Sequence, residues 1–319
     1  MKNSGERIFL NRIIVILITM ILITSGIMMY VNRLLDYKVD SMKPNYHFYF
    51  IGQNKVDPFW QEVMIGVKEG ASEYDVMVEY NAPRFTNIEE QLKYIDIAVL
   101  SNVDGIITHA FNNEDYREVI NRAQEKGIPV ILVENDLPNS NIDAFVGANS
   151  FQLGEKAANL MIKGTGGIAD IAVIEGGGYE ENSSANDNKV NGFISSLKDN
   201  NFMNIIETKS SKLGILSAEE ITENILKNNE NVDAIYTTNS IDTMGAAQAI
   251  IDNNKVGKVK LVGYGDTEEI KRLIEQGVVY GTIIGNPKQI GLKSIETLVQ
   301  VKQGKSVSTF IDTGFRIIK

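Results

Sequence analysis

The 319-residue chain has no cysteine, two histidines and a single tryptophan. Without cysteine there is no disulfide, no thiol nucleophile, no cysteine-ligated zinc or iron–sulfur site and no lipid-modified cysteine. Imidazole chemistry has only His47 and His109 to draw on, and they lie far apart in sequence, so each reads as a hydrogen-bonding side chain. Basic charge is also short, with 31 Lys and Arg against 41 Asp and Glu and a net charge of −10. No basic stripe offsets it, which argues against a nucleic-acid partner.

Nucleotide and triad signatures are missing as well. Gly164-Thr165-Gly166-Gly167 precedes an apolar run instead of following one, and Gly176-Gly177-Gly178 follows one but has no G-x-G-x-x-G or G-x-x-x-x-G-K-[ST] spacing. No serine sits in G-x-S-x-G. Asp252-x-Asn254 with Gly257 is no calcium loop, since Val256 and Gly263 stand where oxygen ligands belong. The sequence therefore predicts no catalytic residue, no metal site and no cofactor.

What is present begins with a long apolar run. Residues 13–31 carry no formal charge, and as a helix they would span roughly 28 Å, close to the thickness of a bilayer core. No small-x-small cleavage site follows the run and no lipobox is available, so an uncleaved single-pass anchor is predicted. Residues 1–12 would be cytoplasmic, 32–44 a short charged stalk, and the rest an extracytoplasmic body.

From Asn45 to about Gln303 apolar runs of four to eight residues alternate with helical patterns, the signature of parallel sheets covered by helices on both faces. Strands are predicted at 46–51, 76–80, 105–108, 130–133, 144–147, 168–175, 204–208, 234–237, 260–264 and 280–284. Helices are expected between them, among them 243–252 and one opened by Ser217-x-x-Glu220; Asn87-x-x-Glu90 reads as a capping box. The rhythm divides into two sets of similar size, so the predicted fold is α/β, with two Rossmann-like doubly wound lobes joined by a hinge. Residues 45–148 and 286–312 make the first lobe, and 149–285 with 313–319 the second. A cleft between lobes is the default small-molecule site.

The stretch Asn54 to Trp60 stands at the carboxyl end of the first strand, where open α/β sheets bind ligands. Asp57 followed by Pro58 gives an N-cap and a proline preset for the first helical turn. Phe59 and Trp60 then offer flat faces beside a carboxylate, which suits the C–H faces and hydroxyl rim of a sugar; ordinary core packing is the competing reading. Paired carboxylates such as Asp57, Glu134, Asp187 and Asp266 would serve a sugar-binding protein or a glycosidase alike.

Taken together, Asp57-Pro58-Phe59-Trp60, Asp104-Gly105-Ile106-Ile107, Gly127-Ile128-Pro129-Val130, Thr238-Asn239, Leu261-Val262-Gly263-Tyr264 and Pro287-x-Gln289-Ile290-Gly291 resemble the ribose-binding type of periplasmic binding protein, over residue 46 to the C-terminus. The resemblance implies that Asp57, Phe59 and Trp60 are first-loop ligand contacts. It further implies polar contacts from His109, Glu134 and Asn135 in the first lobe and from Asn239 in the second. The family's two sugar-binding arginines fall near Asn135 and Asp187 here, and its usual aspartate falls on Gly265 with Asp266 one place later. An extracytoplasmic monosaccharide receptor is therefore expected, a pentose such as xylose favoured, that closes on its ligand. Its partner would be a sensor histidine kinase, as for similar tethered sugar sensors, or an ABC permease if it serves an importer. A glycosidase and a module that binds only protein are the remaining alternatives.

Overall fold

A computed structural model describes residues 3–40, 44–176, 184–211, 214–229 and 231–319. The chain divides into two compact units, 1–45 and 46–319. The first is built on one helix, α1 (Asn3–Asp40). Within it Val15–Arg33, with a mean hydropathy of 2.0, is long and apolar enough to cross a membrane. Its hydroxyls are satisfied inside the helix: Thr19 Oγ1 donates to the Val15 carbonyl and Thr24 Oγ1 to that of Met20, each at 3.0 Å. Such back-bonding is what a polar side chain needs in an apolar medium. The helix runs unbroken past Asn32 to Asp40, so most of the expected stalk continues the helix.

The second unit opens with β1 (His47–Ile51), α2 (Pro58–Tyr74), β2 (Met77–Asn81), α3 (Ile88–Leu100), β3 (Gly105–Thr108), α4 (Glu114–Glu125), β4 (Val130–Val133) and β5 (Ala144–Gly147). It continues with α5 (Ser150–Thr165), β6 (Ala169–Gly176), α6 (Ser184–Leu197), β7 (Met203–Ser211), α7 (Gly214–Asn228), β8 (Ala234–Thr237), α8 (Ser240–Asp252) and β9 (Lys260–Tyr264). The last elements are α9 (Glu268–Glu275), β10 (Val279–Gly285), α10 (Pro287–Lys302), β11 (Phe310–Asp312) and β12 (Phe315–Ile318).

Two six-stranded sheets result, in the orders β11-β5-β4-β3-β1-β2 and β12-β10-β9-β8-β6-β7. All pairings are parallel except β12 against β10. Parallel strands covered on both faces read as continuous apolar runs, and Val130 to Val133 are indeed all buried. On one face of the first sheet lie Val63 and Val67 of α2 with Ile290 and Leu298 of α10, and on the other Ile95 of α3 with Val119 and Ile120 of α4. The second sheet is covered by α5 and α6 through Met161 and Phe193, and on its far side by α7, α8 and α9 through Ile225, Ile250 and Leu273. Burying each such side chain contributes roughly 1.5–3 kcal/mol.

The chain passes between the sheets at 148–149, at Asn286 and at 313–314. The last passage joins β11 to β12, two short strands that the sequence pattern did not disclose. Helix starts are set by side-chain caps, as when Asn113 and Asn149 accept the backbone N–H of Tyr116 and Gln152. Two expected starts differ. Helix α7 already runs through Ser217, so Ser217-x-x-Glu220 lies inside it and not at its start. Helix α8 begins at Ser240, three residues before the expected Thr243, which turns Asn239 into its cap. At Asn87 the cap accepts from Glu90 N at 2.9 Å, while the Glu90 carboxylate takes the Tyr94 hydroxyl at 2.7 Å in place of the reciprocal bond.

Candidate functional site

The carboxyl ends of both sheets face one cleft of about 600 Å³. Of the predicted site residues, Asp57, Phe59, Trp60, His109, Glu134, Asn135 and Asn239 line it. Asp57 caps α2: its Oδ1 accepts from Phe59 N at 2.9 Å, and its own N–H donates to Asn54 Oδ1 at 2.9 Å. Phe59 is half-buried and packs against buried residues of both lobes. Trp60 meets it edge-on with ring centroids 5.4 Å apart. It borders the cleft yet is only 1 % exposed, with Nε1 donating to Gln53 Oε1 at 3.2 Å. Core packing therefore governs Trp60, while the half-buried Phe59 and the exposed Phe85 are the phenyl rings of the cleft wall with surface left open.

His109 at the end of β3 is buried between Trp60 and Phe111, at centroid distances of 5.6 and 4.8 Å. Burial pushes its pKa down from 6.5 to about 3. The neutral ring lets Nε2 accept from Asn135 Nδ2 at 3.0 Å. Buried Gln91 ties the ends of β1 and β3 together, donating to the carbonyls of Gly52 at 3.2 Å and His109 at 3.4 Å. The folded state thus holds a histidine that the unfolded chain would protonate near pH 6.5. Its stabilising share is complete above that pH and is lost as pH falls toward 3. Below pH 6 the unfolding free energy of the wild type should fall relative to His109→Gln by about 1.4 kcal/mol per pH unit. Urea melts between pH 6 and 4 check this, and parallel curves for the two proteins would refute it.

Glu134 follows β4 with φ of 66°, a left-handed conformation that is uncommon for a residue with a side chain and costs about 1 kcal/mol or more. Its carboxylate accepts from the hydroxyl of Tyr264, at the end of β9 in the other lobe, at 3.3 Å. Burial first, and then the Glu134 charge, hold the Tyr264 hydroxyl well above its ordinary range, so it stays a donor.

Asn239 presents both ends of its amide to α8. Its Oδ1 accepts from Asp242 N at 2.8 Å, and its Nδ2 donates to Asp242 Oδ2 at 2.8 Å. Asp242, also in the cleft wall, takes a further bond from Ser211 Oγ at 2.6 Å. Asn239→Ala should therefore cost about 1 kcal/mol of stability as a lost cap. Chemical denaturation measures this, and an unchanged unfolding midpoint would remove the capping role.

Two predicted residues are not among those lining the cleft. Asp187 is exposed on α6, whose cleft-facing residues are Asn186 and Lys189. Asp266 follows Gly265, whose φ of 112° turns the chain, and its Oδ2 takes Arg316 Nη2 at 2.9 Å. Arg316 also reaches Glu62 Oε2 of the first lobe at 3.2 Å. Among the lining residues that sequence reasoning did not name as contacts are Gln53, Phe85, Asn186, Lys189, Asp242 and Tyr264. Asn186, Lys189, Val190 and Phe193 repeat at i, i+3, i+4 and i+7, and that helical period was the signal for the first pair.

The arrangement offers carboxylate acceptors, amide and ammonium donors and aromatic rings, Phe59 and Phe85 among them. A family model described as a periplasmic binding protein domain matches residues 48–306. The D-allose-binding periplasmic protein of Escherichia coli is 26% identical over 261 residues, covering 79% of this chain and 83% of the relative. Among solved structures, GanP, a glucose-galactose binding protein from Geobacillus stearothermophilus, superposes with a TM-score of 0.82 at 28% identity, over 86% of this chain and 97% of that one. A chain of the XylFII-LytSN complex gives a TM-score of 0.77 at 31% identity, again over 86% and 97%. With its sheet order, its cleft and these similarities, the chain belongs to the periplasmic binding protein domain family, whose fold binds solutes and is not an enzyme.

Proposed function

We propose that this chain is a membrane-anchored, extracytoplasmic sugar-binding protein that closes its lobes on a monosaccharide, a pentose such as xylose favoured, and passes the closed state to a membrane sensor histidine kinase. The observation that carries the reading is the cleft itself. Asp57 and Glu134 supply acceptors from one lobe, Asn186, Lys189 and Asn239 supply polar groups from the other, and Phe59 adds a flat apolar face. Sugars need that combination, because hydroxyls pair with carboxylates and amides while C–H faces lie on rings. The exposed apolar span of α1 supports anchoring. Similarity to a structure that is itself a complex supports a protein partner.

Binding would bring the lobes together about the passages at 148–149, 286 and 313–314, with residues 45–148 and 286–312 moving against 149–285 and 313–319. The test is a thermal-shift panel of pentoses and hexoses on the full chain in detergent. One sugar at a hundred times its Kd should raise stability by about 2.7 kcal/mol. A melting temperature unmoved by every sugar would overturn the reading. Sugar-dependent capture of a histidine kinase from membranes, against capture of an ABC permease, separates sensing from import.

A further inference from the structure

Both sheets run outward from the passages between the lobes in the same sense. Strands β11 and β5 in one sheet, and β12 and β10 in the other, stand beside those passages, while β2 and β7 are the outermost strands. The outer part of the cleft is therefore built by the loops after β1 and β2 in the first lobe and by the starts of α7 and α8 in the second.

That outer part is apolar. Val56 and Phe85 of the first lobe line the cleft at 46 % and 62 % exposure, and Ile241 of the second lines it at 43 %. Ile215 and Leu216 stand exposed beside Gly214 of the cleft wall. The Arg84 guanidinium lies over Phe85, its central carbon 5.3 Å from the ring centroid, yet most of the ring stays open to water. Single exposed apolar side chains are ordinary on a protein surface. These differ in placement, since they stand on opposite lobes across a gap that hinge rotation narrows. Nearer the hinge the lobes are already tied, by the Tyr264 hydroxyl to Glu134 at 3.3 Å and by Arg316 to Glu62 at 3.2 Å. Rotation moves each point in proportion to its distance from the axis, so the outer edges travel farthest.

Resting on the sugar-binding reading above, we propose that Val56 and Phe85 of the first lobe and Ile241 of the second form an apolar latch, brought into contact when the lobes close on the ligand. Water released from that contact stabilises the closed state. Affinity then has two sources: polar contacts to the ligand in the cleft, and lobe-to-lobe burial at its mouth that touches no ligand atom. The two differ in heat capacity, because burying apolar surface makes the change on binding negative and burying polar surface has the opposite sign.

The test is calorimetric titration of the full chain in lipid nanodiscs, at several temperatures, with the sugar found by the panel. Wild type, Phe85→Ser, Ile241→Gln and the double variant are compared. Both side chains are at the surface, so the unfolding midpoint of the sugar-free protein should not move in any variant. Each single variant should weaken the sugar about 10-fold. The double variant should bind no more weakly than the worse single one, since either loss alone empties the contact. The heat-capacity change of binding should be less negative in all three than in wild type. Losses that multiply to about 100-fold in the double variant would mean two independent ligand contacts and would overturn the latch. Wild-type affinity in both single variants would overturn it too, and is the result expected if these side chains serve a partner protein instead. If the wild type binds no sugar at all, the sugar-binding reading falls and takes the latch with it, an outcome distinct from binding that ignores both side chains.

Discussion

Trp60→Ala is expected to lower the unfolding free energy by about 3–5 kcal/mol, the cost of emptying a site that a buried indole fills. For a protein whose total stability is of the order of 5–15 kcal/mol, that is a large share. The ring is 1 % exposed, packs in the first lobe's core with Val63, Ile107 and Leu298, and donates to Gln53. Phe59→Ala should behave in the opposite way. The half-buried ring borders the cleft, so its loss should weaken sugar binding by about 2 kcal/mol, as truncation of an aromatic anchor does. Urea denaturation and calorimetry on both variants separate the roles. A Trp60→Ala protein of wild-type stability with weakened binding would restore the stacking role to the tryptophan.

Gly291→Val should be nearly as damaging. A Cβ at Gly291 would lie 2.1 Å from the Val63 carbonyl oxygen, and one at Gly66, on the facing helix, 1.9 Å from that of Lys288. Helices α2 and α10 therefore touch backbone to backbone, and neither carbonyl is a flexible side-chain end that could swing aside. Overpacking of this kind costs about 3 kcal/mol, which for a body of this size lowers Tm by roughly 6–12 °C. Because α2 opens at the Asp57 cap and α10 at Asn286, separating them also displaces the cleft wall and one passage between the lobes. A scanning-calorimetry Tm within 2 °C of wild type would contradict the close approach.

These two predictions mark where sequence reasoning succeeded and where it stopped. Strands such as Val130–Val133, Ala234–Thr237 and Lys260–Tyr264 were legible to the residue, because a parallel strand buried on both faces is an uninterrupted apolar run bounded by polar caps. Strands β11 and β12 were not, since both are short, part-exposed sheet edges with no alternation to detect. The carboxyl-edge rule placed Asp57 in the region of the cleft, and the family resemblance placed His109, Glu134 and Asn239 there, but neither could choose between neighbours on a helix. Phe59 and Trp60 differ by about 100° around α2, and which of them turns inward depends on tertiary packing. Asp187 and Lys189 pose the same problem on α6. The sequence reading set no start for that helix, and its phase decides which side chain faces the cleft. Asp266 was lost to a single backbone angle, the left-handed turn at Gly265.

The central claim, that a sugar binds in the cleft beside the first-lobe aromatics, is tested most directly by tryptophan fluorescence of the full chain in detergent. Trp60 is the sole tryptophan and borders the cleft, so all tryptophan emission comes from a ring packed beside that site. The account predicts a saturable, single-site change in intensity or wavelength with one pentose or hexose, abolished when Phe59→Ala is titrated over the same range. Emission that stays flat across the whole panel, in a protein that melts cooperatively, would contradict it.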